Sequence, residues 1–197
     1  MTSSIKTPDI DIDFADRNQI LQLIQYTAAR QITQGEVRRH NSGVYVTDIP
    51  WDPVNQCAAI DYHAAEQRGY FKLDLLNMSV YQGIRDTVHY DQLLATTPPW
   101  ARLQDPAFVQ RVVHIGNHYD LLQRMPEPVD SIPRMSMFLS LIRPGKRHLV
   151  GRSWQDIAAT VWDSAADGYS FKKAHAVSYA VLVTLHMNLI NLADQGN

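Results

Sequence analysis

Polar and hydrophobic positions alternate near the start of the chain. Between Pro8 and Phe14 (PDIDIDF), Ile10, Ile12 and Phe14 fall on one side and Asp9, Asp11 and Asp13 on the other, the period of two that makes a β-strand. Asp16 is placed to cap a helix predicted over Arg17 to Thr33. Its apolar face would use Ile20, Leu23, Ile24, Thr27, Ala28 and Ile32, with Gly35 after its end. A second strand is predicted over Gly43 to Ile49, stopped by Pro50 and Pro53. A third is predicted over Gly69 to Leu75, where Phe71, Leu73 and Leu75 alternate with Lys72 and Asp74. Beyond that point the pattern turns helical. Ser79 and Gln82 form a capping box for a helix to about Ala95, and Thr96 to Pro99 breaks it. Further helices are expected over about 106–124, 135–142, 153–166 and 173–193. The pattern predicts an α+β chain, with a small mixed α/β unit over residues 1–85 and a mostly helical unit over 86–197.

Composition changes this picture little. Hydrophobic residues make up 45% of the 197 positions, ordinary for a globular chain, and charged residues 19%, below the usual value of about 25%. A disordered acidic tail, a collagen-like repeat and a uniformly basic coat for nucleic acid are thereby excluded. No run approaches the roughly 18 consecutive apolar residues of a membrane span, so none is expected. The opening MTSSIKTPDIDID has no apolar core of a secretory leader, and the lone Cys57 cannot form an internal disulfide. A cytoplasmic location is the expectation.

The charge is unevenly spread. The net charge is −2, yet Ser131 to Gln155 holds Arg134, Arg143, Lys146, Arg147 and Arg152 and no acidic residue. Such an island reads either as a phosphate-binding patch or as a solvated surface. The three aspartates of the first strand would repel one another on one face unless a cation joined them. The i, i+2 spacing suits Mg²⁺, a hard ion that takes oxygen ligands and bridges one or two carboxylates to substrate phosphates. The alternative is an edge strand whose charges prevent edge-to-edge pairing. Lys72 and Asp74 repeat the same spacing on another apolar strand. They could meet a phosphate and its metal, or form a simple ion pair worth less than about 1 kcal/mol. Ser170 to His175 (SFKKAH) leads into the apolar helix, where Lys172 and Lys173 oppose the helix dipole unless an anion is bound there. His114 and His118 have the i, i+4 spacing of a helical metal site but lack the glutamate of an HExxH motif, and no GxSxG elbow occurs.

Taken in order, PDIDIDF, RHNSGVYV, YFKLDLL, LIRPG and SFKKAHAVSYA resemble the motifs of family C DNA polymerases, the bacterial replicative polymerase III α subunits. The matches run from Pro8 to about Ile190, with no recognisable counterpart over roughly Asp86 to Phe138. The resemblance implies a palm of the polymerase-β-like nucleotidyltransferase fold followed by a shortened, helical fingers-like region. It implies template-directed DNA synthesis by two-metal nucleotidyl transfer, with primer-template DNA and a dNTP as substrates and Mg²⁺ as cofactor. Asp9, Asp11 and Asp74 would be the metal-binding catalytic carboxylates, with Asp13 in the same motif. Lys72, Arg143, Lys173 and His175 would meet the nucleotide, with Tyr179 on the same fingers helix. His40 and Gly43 match a palm motif that usually carries Gly or Ala in place of Ser42. The family's Gly-Ser-rich segment that cradles the triphosphate is not found in this chain. A separate N-terminal polymerase chain or another replisome protein is therefore an expected partner, and a compact version of this kind suits a bacteriophage. The alternative is a non-catalytic, polymerase-derived module that binds DNA or a replisome partner.

Overall fold

A computed structural model describes residues 10–163 and 171–196. The opening alternation forms β1 (Ile10–Phe14), and Asp16 caps α1 (Arg17–Leu21) by accepting from the Asn18 amide at 2.9 Å. The predicted helix goes no further. Residues from Thr27 onward form β2 (Thr27–Thr33), which turns back into β3 (Glu36–Tyr45). Thr33 and Glu36 pair across a two-residue turn in which Gln34 (φ 53°) and Gly35 (φ 82°) both have positive φ. That is the backbone of the tight turn whose twist matches paired strands. The expected helix face fails accordingly: Leu23 is 81% exposed and Ile32 51%, while Ala29 is fully buried. Thr27, Ile32 and Thr33 are β-branched and gain more from the pleated sheet than from a helix.

β4 (Trp51–Asp52) and β5 (Cys57–Ala58) form a small second sheet. Arg30 anchors it to β2 by donating Nε to the Ala58 carbonyl at 2.8 Å and by pairing with Asp52. α2 (Tyr62–Gln67) follows, capped by Asp61, and then β6 (Leu73–Asn77). The main sheet runs β1-β6-β3-β2, with β1 and β6 parallel and the other neighbours antiparallel. Ala29, Tyr45, Ile49, Ala58 and Ala65 form the core of this unit.

A 3₁₀ turn at Ser79–Gly83 follows β6, and the first unit ends at Gln82. The second unit is helical. It holds α3 (Thr87–Ala95), α4 (Pro106–Arg111), α5 (Tyr119–Gln123), α6 (Ile132–Leu141), α7 (Trp154–Thr160) and α8 (Lys173–Gln195). The helix expected over 106–124 is two short helices. α4 ends at Arg111, where Val112 turns extended, and the intervening loop places His114 at φ 64°. Among the described residues, α8 alone is long and apolar enough to cross a membrane, with a mean hydropathy of 1.5, but half of that stretch is buried. Ala180, Val183, Met187 and Ile190 recur at helical spacing and enter one core with Met135, Phe138 and Leu141 of α6.

α8 also holds α3 by a polar contact. Buried Asn188 donates Nδ2 to the Leu93 and Thr96 carbonyls at 2.9 and 3.0 Å, satisfying orphan acceptors at the end of α3. Asn188→Leu leaves both carbonyls without that donor, while removing an Oδ1 that has no partner of its own. A net loss of about 1–2 kcal/mol is expected in urea unfolding of the full chain, and an unchanged midpoint would refute this role.

Candidate functional site

Parallel pairing of β1 with β6 sets Asp11 directly opposite Asp74, and Ile12 opposite Leu75. Side chains in register on neighbouring strands share a face of the sheet, so Asp11 and Asp74 lie on one face and buried Leu75 on the other. Asp13 follows Asp11 on the same face of β1. Burial, followed by the Asp11 charge, raises the Asp13 carboxyl above its ordinary value. Asp9 lies outside the described residues.

Asp74 is the centre of this arrangement. Only 14% of its side chain is exposed, yet it carries a negative charge. Ser42 donates its hydroxyl to Oδ1 at 2.7 Å, and the Lys72 ammonium contacts Oδ2. Burial alone would push this carboxyl up. The hydrogen bonds from Lys72 and Ser42 and the Lys72 charge outweigh it and hold the carboxyl below the usual range.

Gly43 makes room for that contact. It pairs with Asp74 across β3 and β6, and a Cβ at Gly43 would stand 2.8 Å from Lys72 Cδ and 3.0 Å from His40 Nδ1. Close approach of neighbouring groups, not a left-handed backbone, requires the glycine here. His40 accepts the Gly43 amide at Nδ1 at 2.9 Å, which assigns the ring proton to Nε2. Its separation of 3.7 Å from Asp74 is therefore no ion pair, because Nδ1 carries no proton to share. Burial and the Lys72 charge lower the His40 pKa and keep the ring neutral. Tyr62 closes this side, with Lys72 lying 5.7 Å over its ring and His40 meeting it edge-on at 5.2 Å. Beneath them Tyr45 is buried with no partner for its hydroxyl. Burial, then Asp61, Asp74 and Glu66, push its pKa up to about 12.

Arg17 braces the same corner. Its amide donates to Asn77 Oδ1 at 2.7 Å, and its guanidinium reaches the Asn41 carbonyl. Ser42 and Arg17 were not singled out as site residues by spacing or chemistry. The local signal for Ser42 is its place between His40 and Gly43 in RHNSG.

The other predicted nucleotide contacts lie in the second unit. Arg143 follows α6 and lies 4.8 Å over the Phe171 ring. Lys173 opens α8 and lies 5.9 Å over Trp162, and His175 is half-buried one residue before buried Ala176. Arg143 borders a cavity of about 100 Å³ with Phe171 and Tyr179, a lining that does not include Lys173 or His175. The basic island is mostly engaged internally. Arg134 pairs with Glu127 and Asp130, Lys146 donates to the Thr160 carbonyl and Arg147 to that of Ile142.

Among the described residues, no group of three or more His, Cys, Asp or Glu side chains is arranged to hold a metal ion. The in-register pair Asp11 and Asp74 still fits the one or two carboxylates that Mg²⁺ uses when phosphates complete its shell. No protein-family model, curated protein or solved structure matches this chain.

If Lys72 holds Asp74 ionised, its removal exposes the effect of burial. In Lys72→Met the Asp74 carboxyl is expected to titrate at higher pH than in the unaltered chain, followed by carboxyl-carbon NMR. The sign follows from linkage: a depressed carboxyl stabilises the fold above its unfolded pKa, and that contribution is lost as pH falls through the folded value. Identical titrations in the two proteins would exclude the lysine as the cause.

Proposed function

We propose that the chain is a DNA polymerase III α-like nucleotidyltransferase of family C, acting in template-directed DNA synthesis. The observation that supports this reading best is the register that sets Asp11 opposite Asp74 on parallel strands, with Lys72 and Ser42 on the second carboxylate. Two carboxylates on adjacent strands beside a lysine suit a triphosphate that arrives with its metal. The polymerase-β-like palm belongs to the same proposal. The α+β organisation with a small mixed sheet is compatible with it.

In this reading Asp11 and Asp74 would hold Mg²⁺ together with Asp9. The ion would lower the pKa of the attacking primer hydroxyl and neutralise charge on the phosphates. The residues divide the remaining work. Ser42 and Gly43 keep Asp74 oriented toward the Asp11 side of the sheet. Lys72, which balances the Asp74 charge, is the cation positioned to turn to an incoming phosphate. Arg143, Lys173 and His175 are nucleotide contacts by the motif resemblance alone.

A second reading has its own support. Lys72 already neutralises Asp74. A polymerase-derived module that binds DNA or a replisome partner without catalysis accords with that pairing.

Primer extension with Mg²⁺ separates the two. The chain is assayed alone and with a partner polypeptide carrying a Gly-Ser-rich triphosphate-binding segment. Catalysis predicts metal-dependent incorporation that falls at least about a hundredfold in Asp11→Ala and in Asp74→Asn, as on removal of a group acting on developing charge. Full incorporation by Asp11→Ala, or none in any combination, would sink the polymerase reading. DNA binding that persists in Asp11→Ala without Mg²⁺, with no incorporation, would establish the second.

A further inference from the structure

The cavity in the helical unit is lined by His114, His118, Leu139, Ile142, Arg143, Phe171 and Tyr179. Three observations define its chemistry. Arg143 Nε is buried with no hydrogen-bond partner, and no carboxylate lies within ion-pair distance of this guanidinium among the described residues. A buried donor on a charged group is costly to leave unmatched, so the site is short of an acceptor. Arg143 Cζ lies 4.8 Å from the centre of the Phe171 ring, a cation–π contact that covers one side of the guanidinium without supplying an acceptor.

The loop between α4 and α5 delivers the two histidines. His114 adopts φ 64°, a left-handed conformation that side chains rarely take, and its ring lies 4.7 Å from that of Tyr179. Gly116 is required for the same turn, because a Cβ there would meet the Gln110 carbonyl oxygen at 2.8 Å. His186 of α8 pins the loop by accepting the Val113 amide at 3.0 Å. The spacing of His114 and His118 looked like that of a helical metal pair, but no helix joins them. The electrostatics oppose a cation. Both rings are held neutral first by burial and then by positive neighbours, Arg143 for His114 and Arg147 and Arg143 for His118.

We propose that this cavity is a binding site for a single phosphoryl-type oxyanion, with Arg143 as its fixed charge and His114 and His118 as neutral N–H donors. A cavity of about 100 Å³ has room for one phosphate group. Arginine's planar fork matches two oxygens of such an anion. The source is inorganic phosphate or the terminal phosphate of a nucleoside triphosphate. The inference shares Arg143 with the polymerase reading. It adds the two histidines and stands without any reaction at Asp74.

The test is calorimetric titration of the full chain with inorganic phosphate and, separately, with dATP, at constant ionic strength and without Mg²⁺ or DNA. Saturable phosphate binding on the order of millimolar is expected, weakened at least about tenfold in Arg143→Met and by a smaller factor in Arg143→Lys and His118→Leu. Phosphate must also shift the ring ¹⁵N signals of His114 and His118 in NMR, a readout that does not depend on any variant folding. Competition between dATP and phosphate identifies the triphosphate as the source, and phosphate binding without competition identifies the free ion. No saturable binding of either ligand, binding of equal strength in a folded Arg143→Met, or unmoved histidine signals would overturn the proposal. Primer extension plays no part, so loss of the polymerase reading and loss of this site are separately visible.

Discussion

Keeping Asp74 ionised while most of it is out of water is the constraint on which the first unit depends. A buried carboxylate is expensive unless matched by charge and hydrogen bonds. Lys72 matches it from two residues away on the same side of the chain, and Ser42 matches it from the neighbouring strand. The Ser42 contact requires β3 to approach β6, and the Lys72 side chain passes over Gly43, where a Cβ would crowd it. His40 then takes up the Gly43 amide with Nδ1 and must stay neutral to do so. The register of β3 on β6 is fixed by these partners as much as by the ladder. A slip of one residue would turn Asp74 toward the interior now filled by Leu75.

In the helical unit the corresponding constraint is α8, whose inward-facing polar residues, buried or half-buried, divide into two kinds. Thr184 satisfies its hydroxyl on the Val181 carbonyl of its own helix, as Ser140 of α6 does on Ser136, so these cost little and reach nothing else. Asn188 and His186 instead reach outward, to the end of α3 and to the loop after α4. The same helix that supplies the apolar core therefore holds the loop that carries His114 and His118 to the cavity.

β1 was legible from its clean period of two, and Asp16 caps its helix as its residue type implies; the Asp74 strand was legible only in part, since the alternation over Gly69 to Leu75 gives a strand that begins at Leu73 and runs on to Asn77. The region from Arg17 to Thr33 was not. Its apolar residues fit a helical spacing, but the decisive signal was the pair Gln34-Gly35, a tight turn that only makes sense between paired strands. Periodicity sees one segment at a time, whereas strand identity depended on the partner strand beyond the turn. The carboxylate pair Asp11 and Asp74 could be nominated by spacing, but their register rests on how β1 lies against β6. His114 and His118 illustrate the reverse case. Their spacing suggested one helix face, yet a left-handed residue and a crowded glycine bring them together by a loop, which no helical period encodes.

The basic island shows why a charge count along the chain is a poor guide to the field in space. Its first arginine, Arg134, is matched by Glu127 and Asp130, which lie just outside the window that appeared free of acid. Lys146 and Arg147 turn their donors to backbone carbonyls, which keeps their charge near the surface but ties down their geometry. Arg143 differs in kind, because its charge is half-buried against an aromatic ring and its Nε has no acceptor. An anion is drawn to charge that is both unmatched and desolvated, where screening by salt is weakest. The attraction this region offers is thus concentrated at one guanidinium instead of spread along a stripe. A stripe would displace many counterions from a nucleic-acid backbone, whereas a single cation neutralises about one phosphate and gives a correspondingly shallow salt dependence.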